Sequence, residues 1–283
     1  MLASMRENYA HCEAEVRAHD KDRYLATLFA PAEARPHLFA LYAFNLEVAQ
    51  VRERIHEPLA GEVRLQWWRD AIEGTRAGEA AANPVAAALL DTIERRSLAR
   101  HLLSELVDGR SFDLYDNPMP TLAVLEAYVD ATSGELIRLA ASVLARRRSG
   151  VVDAATHCGR AYAFTGLLRV FALHASRGQL YVPLDLLDRH GVTRDQAIAG
   201  NAMPGLLAAL AELRALARQH LDAARVHLKN VPPEAAPAFL LAGLVPLYLS
   251  RMEQPGYDPF RTRIEIPQWR RQWTLWRAAR RGI

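Results

Sequence analysis

The chain has 283 residues, 51% hydrophobic and 24% charged, a balance that supports a sizeable buried core and excludes a disordered polymer. Its formal net charge is only +3, its basic residues are arginine apart from Lys21 and Lys229, and it shows no recognised nucleic-acid motif, so no nucleic-acid partner is expected. Cys12 and Cys158 lie far apart with neither C-x-x-C nor zinc spacing, which argues for a reduced, cytoplasmic compartment without disulfides or structural zinc.

No stretch alternates apolar and polar residues for long enough to suggest a sheet, while Ala, Leu, Arg and Glu recur at helical spacing. The fold is therefore expected to be all-α, and with no linker in sight the domain is expected to be 1–283. The N-terminal stretch is charged throughout and lacks the apolar segment of a secretory signal. The most apolar span, Ala235 to Ser250, falls short of the roughly 20 residues a bilayer requires and contains Pro237 and Pro246.

Residues of about 6 to 30 are predicted to form a first helix stopped at Pro31, and Pro36 suits the first turn of the next, where its missing N–H costs little. Pro58 and Gly61 are expected to separate that second helix from a third, whose Leu65, Trp68 and Ile72 share an apolar face beside Trp67. Asn83-Pro84 starts a further helix in the preferred way. The stretch from Ala163 to Val192 predicts an amphipathic helix broken by Gly178 and Pro183, with Gly166, Val170, Leu173, His174 and Arg177 on one face.

A small helix is expected at about 193 to 199. It is followed by a long one with a Leu206, Leu210, Leu213, Ala217, Leu221, Ala224 stripe, read as a core helix because its charges do not segregate as in a coiled coil. The last helix carries Trp269, Trp273 and Trp276 at i, i+4, i+7, with arginines expected on the other faces. That pattern is compatible with closing the bundle and with lying on a membrane surface as a peripheral protein.

Aligned on its G-x-x-Y-x-P ending, the 163–192 stretch resembles the second aspartate-rich signature of the squalene/phytoene synthase family. Thr165, Leu168, Arg169, Ala175, Gly178, Tyr181, Pro183 and Asp185 match, whereas the three acidic positions hold Val170, Leu173 and His174. The first signature is similarly altered: Tyr42, Ala43, Phe44, Glu47 and Val48 match, the two leading aspartates are Ala49 and Gln50, and the third is Glu53. Gly109 and Asp113 also fit the family frame, and Gly134 stays while a later glycine becomes Ile137. The combination AFNLEVAQVRE, RLQWWRDAI and LLRVFALHASRG is most similar to the branch that serves as assembly factors for respiratory complex I.

That resemblance implies the all-α helical bundle of the isoprenoid synthase type with a central cavity. It implies no metal ligands and no catalytic residues, since magnesium needs several converging oxygens and two acidic clusters are lost. Ligand-facing positions on this reading are Tyr42, Asn45, Gln50, Glu53, Arg169, His174, Arg177 and Tyr181. Val170 and Leu173 are expected to line the former metal site with hydrocarbon, and His174 to be a structural histidine bonded to Ser176, Glu53 or backbone. Asn45 and Gln50 are expected as neutral partners for buried polar groups. An apolar tunnel for an isoprenoid-like chain is expected between the helices at 38–53 and 163–177.

Two functions follow from the resemblance. One is a non-catalytic protein that supports complex I assembly through its subunits or assembly intermediates. The other is a prenyltransferase acting on prenyl diphosphates with magnesium.

Overall fold

The computed structural model describes residues 2–55, 57–146 and 149–283, and among these there is no strand. The chain begins with α1 (Leu2–His19), α2 (Lys21–Thr27), α3 (Arg35–Ala49), α4 (Val51–Arg54), α5 (Pro58–Glu73), α6 (Ala77–Ala82), α7 (Pro84–Arg96) and α8 (Arg100–Gly109). A 3₁₀ turn at Arg110–Leu114 leads to α9 (Leu122–Val129), a π turn at Asp130–Gly134 and α10 (Glu135–Leu144). Then come α11 (Val151–Arg169), α12 (Phe171–Ser176), α13 (Leu184–Arg189), α14 (Arg194–Ile198) and α15 (Pro204–His227). A 3₁₀ segment at Pro233–Leu244, α16 (Val245–Met252) and α17 (Gln268–Arg281) complete the bundle.

α11 sits at the centre because its sequence permits neighbours on several sides. Ala154, Ala155, Cys158, Gly159, Ala161, Phe164 and Leu168 are all buried, and α15, α10, the π turn and the 3₁₀ segment at 233–244 pack around it. The π turn approaches so closely that a Cβ on Gly159 would lie 2.7 Å from the Gly134 Cα, which only a glycine allows. α15 lies along α11 with the expected Leu206-to-Ala224 stripe inward, so it is a core helix.

Several boundaries differ from the sequence expectation for identifiable reasons. The Asp20 carboxylate accepts the Arg23 backbone N–H at 3.0 Å and starts a new helix, dividing the predicted first one in two. Gly61 does not separate helices but lies inside α5, which Pro58 begins. Asn83 caps α7 as expected, accepting the Ala86 N–H at 2.9 Å. Trp68 is fully buried against Phe44, with ring centroids 5.0 Å apart, whereas Trp67 is part-exposed and donates to Glu79 at 2.8 Å.

The apolar helical stretch Pro233–Met252 reaches 20 residues, longer than expected and sufficient by length and composition to cross a membrane. It is nevertheless a core element here: Phe239, Leu240, Leu241, Leu244, Val245 and Leu249 are buried against the bundle.

Candidate functional site

The two signature helices are interrupted at matching places. Gln50 separates α3 from α4 and Val170 separates α11 from α12, each with backbone angles outside the helical range. Gly178, at φ +74, then turns the chain in the left-handed conformation that favours glycine. Met119 donates to the Leu180 carbonyl at 3.0 Å and accepts from Leu184 at 2.9 Å, fixing the segment that carries Tyr181. Asp185 accepts the Leu122 N–H at 3.1 Å, so this family-matched acid holds the start of α9.

A cavity of about 120 Å³ lies between these elements, lined by Glu53, Arg110, Asp113, Tyr128, His174, Arg177, Gln179 and Tyr181 among others. At its centre Asp113 accepts from Tyr181 Oη at 2.7 Å, Tyr128 Oη at 2.8 Å and Arg110 Nη1 at 3.1 Å. Arg110 also donates to Tyr128 Oη at 3.0 Å, and Gln179 Nε2 to the Asp113 carbonyl at 3.3 Å. At the mouth, Arg177 pairs with Glu53 at 3.1 Å and Arg52 with Asp116 at 3.1 Å.

The electrostatics favour a fixed network over a titrating one. Burial, reinforced by Asp113, pushes the Tyr128 and Tyr181 phenols well above their ordinary range. Burial opposes the Arg110 charge, yet Tyr128 and Asp113 raise its pKa above the ordinary value. Burial lowers His174 to about 4, against the raising influence of Asp113 and Glu53, so its imidazole is neutral near pH 7.

Of the eight expected ligand-facing residues, Glu53, His174, Arg177 and Tyr181 line this cavity and Tyr42, Asn45, Gln50 and Arg169 do not. Tyr42 is buried deeper, with the Arg23 guanidinium 5.7 Å from its ring centroid. Asn45 is buried with its Oδ1 unpartnered, and Gln50 accepts from the exposed Arg54 at 2.8 Å, so neither serves the buried polar groups expected of it. Arg169 belongs to a second buried cluster: it lies 3.7 Å from the Tyr248 ring centroid and 3.6 Å from Asp22, which also accepts from Tyr248 at 2.6 Å and Arg271 at 2.8 Å.

Three further expectations are corrected. Val170 and Leu173 are 40% and 44% exposed and do not line the cavity, because the interruption at Val170 turns α12 away from the face that a continuous helix would present. The His174 ring packs against Tyr181 with centroids 4.6 Å apart, while the Ser176 hydroxyl donates to the Leu173 carbonyl. The space between the signature helices is not an apolar tunnel: 120 Å³ is about four waters at ~30 Å³ each, and its walls are largely polar.

Arg110, Tyr128 and Gln179 were not foreseen as site residues. Asp113 was legible as a family match, and a lone matched acid beside an apolar helix is the signal that could have led to its partners.

The donor set does not fit magnesium. Glu53 is paired with Arg177, Asp113 already accepts from one guanidinium and two phenols, and Glu47 is held on the outside by Arg54 at 3.1 Å and Arg64 at 3.0 Å. The facing helix contributes an imidazole, and among the described residues no group of three or more His, Cys, Asp or Glu side chains is arranged to hold a metal.

Comparison with known proteins gives a consistent picture. The squalene/phytoene synthase family model matches residues 16–277. The mouse protein named NADH dehydrogenase (ubiquinone) complex I, assembly factor 6 is 30% identical over 258 residues, covering 91% of this chain and 78% of the relative. A presqualene diphosphate synthase of Sinorhizobium fredii is 28% identical over 210 residues, covering 73% of this chain and 75% of that protein. The crystal structure of a dehydrosqualene synthase in complex with ligand superposes with a TM-score of 0.85 over 96% of this chain and 95% of that one; at 19% identity this likeness shows the fold.

Proposed function

This chain belongs to the squalene/phytoene synthase family, and we propose that it supports assembly of respiratory complex I without transferring prenyl groups. The observation that carries the reading is the state of the cavity between the signature helices. Its carboxylates, Glu53 and Asp113, are each neutralised by an arginine of the same chain, and its 120 Å³ falls below the roughly 300–1,000 Å³ of ordinary ligand pockets.

An allylic diphosphate would have to displace those pairs and would gain no metal ion in return. Arg177 and Arg169, the cations best placed by sequence to hold phosphate, are committed to Glu53 and Asp22. The network is instead an internally paired polar core, with the Arg110 Nε its one buried donor lacking a partner among the described residues, and it fixes the relative positions of the 3₁₀ turn at 110–114, α9 and the 177–183 segment.

The complex I assignment draws on the relatives. Assembly factors named for complex I match along 90% or more of this chain in mouse and human at 30% identity. On this reading the chain acts through contact with complex I subunits or assembly intermediates. Deleting its gene tests the proposal: NADH:quinone oxidoreductase activity should fall while isoprenoid products are unchanged. Normal complex I with a missing isoprenoid would overturn it in favour of a transferase.

A further inference from the structure

α17 presents two faces of different character. Its inner face carries Leu275 and Ala278, both buried, together with Arg271, which donates to the buried Asp22 at 2.8 Å. These contacts fix the helix to the 3₁₀ segment at 233–244 and to α2. The three tryptophans take no part in that anchoring: Trp269, Trp273 and Trp276 are 63%, 58% and 38% exposed. They therefore do not close the bundle.

The arginines are not on the other faces, as the sequence suggested, but interleaved with the indoles. At 100° per residue, Trp269, Trp273, Trp276, Arg277 and Arg280 fall on one outward face, with Arg270 and Arg281 at its edge. The Arg270 guanidinium lies 5.3 Å from the Trp269 ring centroid, Arg280 lies 5.0 Å from that of Trp276, and Trp273 stacks on Trp276 at 4.8 Å. The helix contains no acidic residue, and among the described residues Arg270, Arg277, Arg280 and Arg281 form no ion pair.

A groove of about 550 Å³ lies along the flank of α17 at its C-terminal end, lined by Phe29, Pro237, Leu240, Ala279 and Ile283, and Arg280 is shared between it and the outward face. Leu28 and Phe29 beside it are 39% and 36% exposed. We propose that the outward face of α17 and this groove form a docking surface for a bilayer containing anionic lipid. The complementarity is chemical: indoles favour the headgroup layer, unpaired guanidiniums meet lipid phosphates, and the groove offers apolar walls to an adjacent acyl chain. An acidic protein would satisfy the arginines but would leave three protruding indoles and an open apolar groove without a specific match.

The test uses the purified full-length chain and sonicated vesicles of phosphatidylcholine, with or without about a third phosphatidylglycerol. Co-sedimentation is expected with the anionic vesicles only, and should weaken as the screening length falls from about 10 Å at 0.1 M salt to about 3 Å at 1 M. Arg277→Glu with Arg280→Glu should lower partitioning by at least roughly 25-fold, taking about five-fold per basic residue. Trp273→Ala with Trp276→Ala should also lower it, and brominated acyl chains should quench the wild-type indole fluorescence.

All four side chains are exposed, so thermal melts should stay within a few degrees of wild type. Absence of vesicle binding at low salt would overturn the proposal and point to an acidic protein surface instead, and equal binding by the charge-reversed variant would overturn it by showing that the arginines take no part. The assay contains no complex I, so its outcome is separate from that of the assembly function.

Discussion

Replacing Asp113 by alanine removes the carboxylate on which Arg110, Tyr128 and Tyr181 converge at 3.1, 2.8 and 2.7 Å. The Asp113 and Arg110 side chains are only 10% and 18% exposed, so the guanidinium would be left charged in a site that screens it poorly. Breaking a buried pair by removing one partner costs about 3–5 kcal/mol. The adjoining 120 Å³ cavity can admit water to the orphaned donors, which places the expected loss near the lower end, about 3 kcal/mol. Urea denaturation at pH 7 measures it as a lower midpoint at unchanged slope. Arg110→Met with Asp113→Leu removes both charges together and should cost less than Asp113→Ala alone. A single-variant loss below about 1 kcal/mol, or a double variant in which the single losses simply add, would show that the network is not the buried unit described.

Other parts of the fold make separate predictions. Asp22→Ala orphans Arg271 and the Tyr248 hydroxyl in a buried site and should cost about 3 kcal/mol, whereas a loss within error in the same denaturation assay would refute its anchoring of α17. Gly159→Ala drives a Cβ to 2.7 Å from the Gly134 backbone and should destabilise by about 1–3 kcal/mol; an unchanged thermal midpoint would contradict that packing. Burial lowers His37 and His174 from 6.5 to about 4, so the unfolded chain takes up these protons first and stability should fall as pH drops from about 6.5 to 4. Each contributes a slope of at most about 1.4 kcal/mol per pH unit, and a flat stability profile from pH 7 to 5 would count against both assignments. Farnesyl diphosphate with magnesium should leave the melting temperature unchanged, since a ligand at 100 times its Kd adds about 2.7 kcal/mol; a shift of several degrees would contradict the internally paired cavity.

Much of this arrangement was legible because local rules and the family frame agree. Gly178, Tyr181, Pro183 and Asp185, all matched to the family frame, mark the segment that closes the site. Helical periodicity failed where the helices are interrupted. Val170 and Leu173 share a face with His174 only on a continuous helix, and the break at Val170 leaves both exposed.

α3 posed a different difficulty, being buried from His37 to Asn45 on nearly every side, so spacing alone could not say that Tyr42 and Asn45 point away from the cavity. The phenol partners of Asp113 come from elements 15 and 68 residues away in sequence, a juxtaposition no local pattern encodes. That the face of α17 on which arginine and tryptophan interleave points outward became visible only once Leu275 and Ala278 defined the inner face.

The most direct test of the central claim is complementation of a strain lacking this gene, with NADH:quinone oxidoreductase activity measured in isolated membranes. Activity should be reduced in the deletion strain and restored by this chain, but not by the presqualene diphosphate synthase that shares 28% identity with it. Undiminished activity in the deletion strain, or equal rescue by the synthase, would contradict an assembly role that is independent of prenyl transfer.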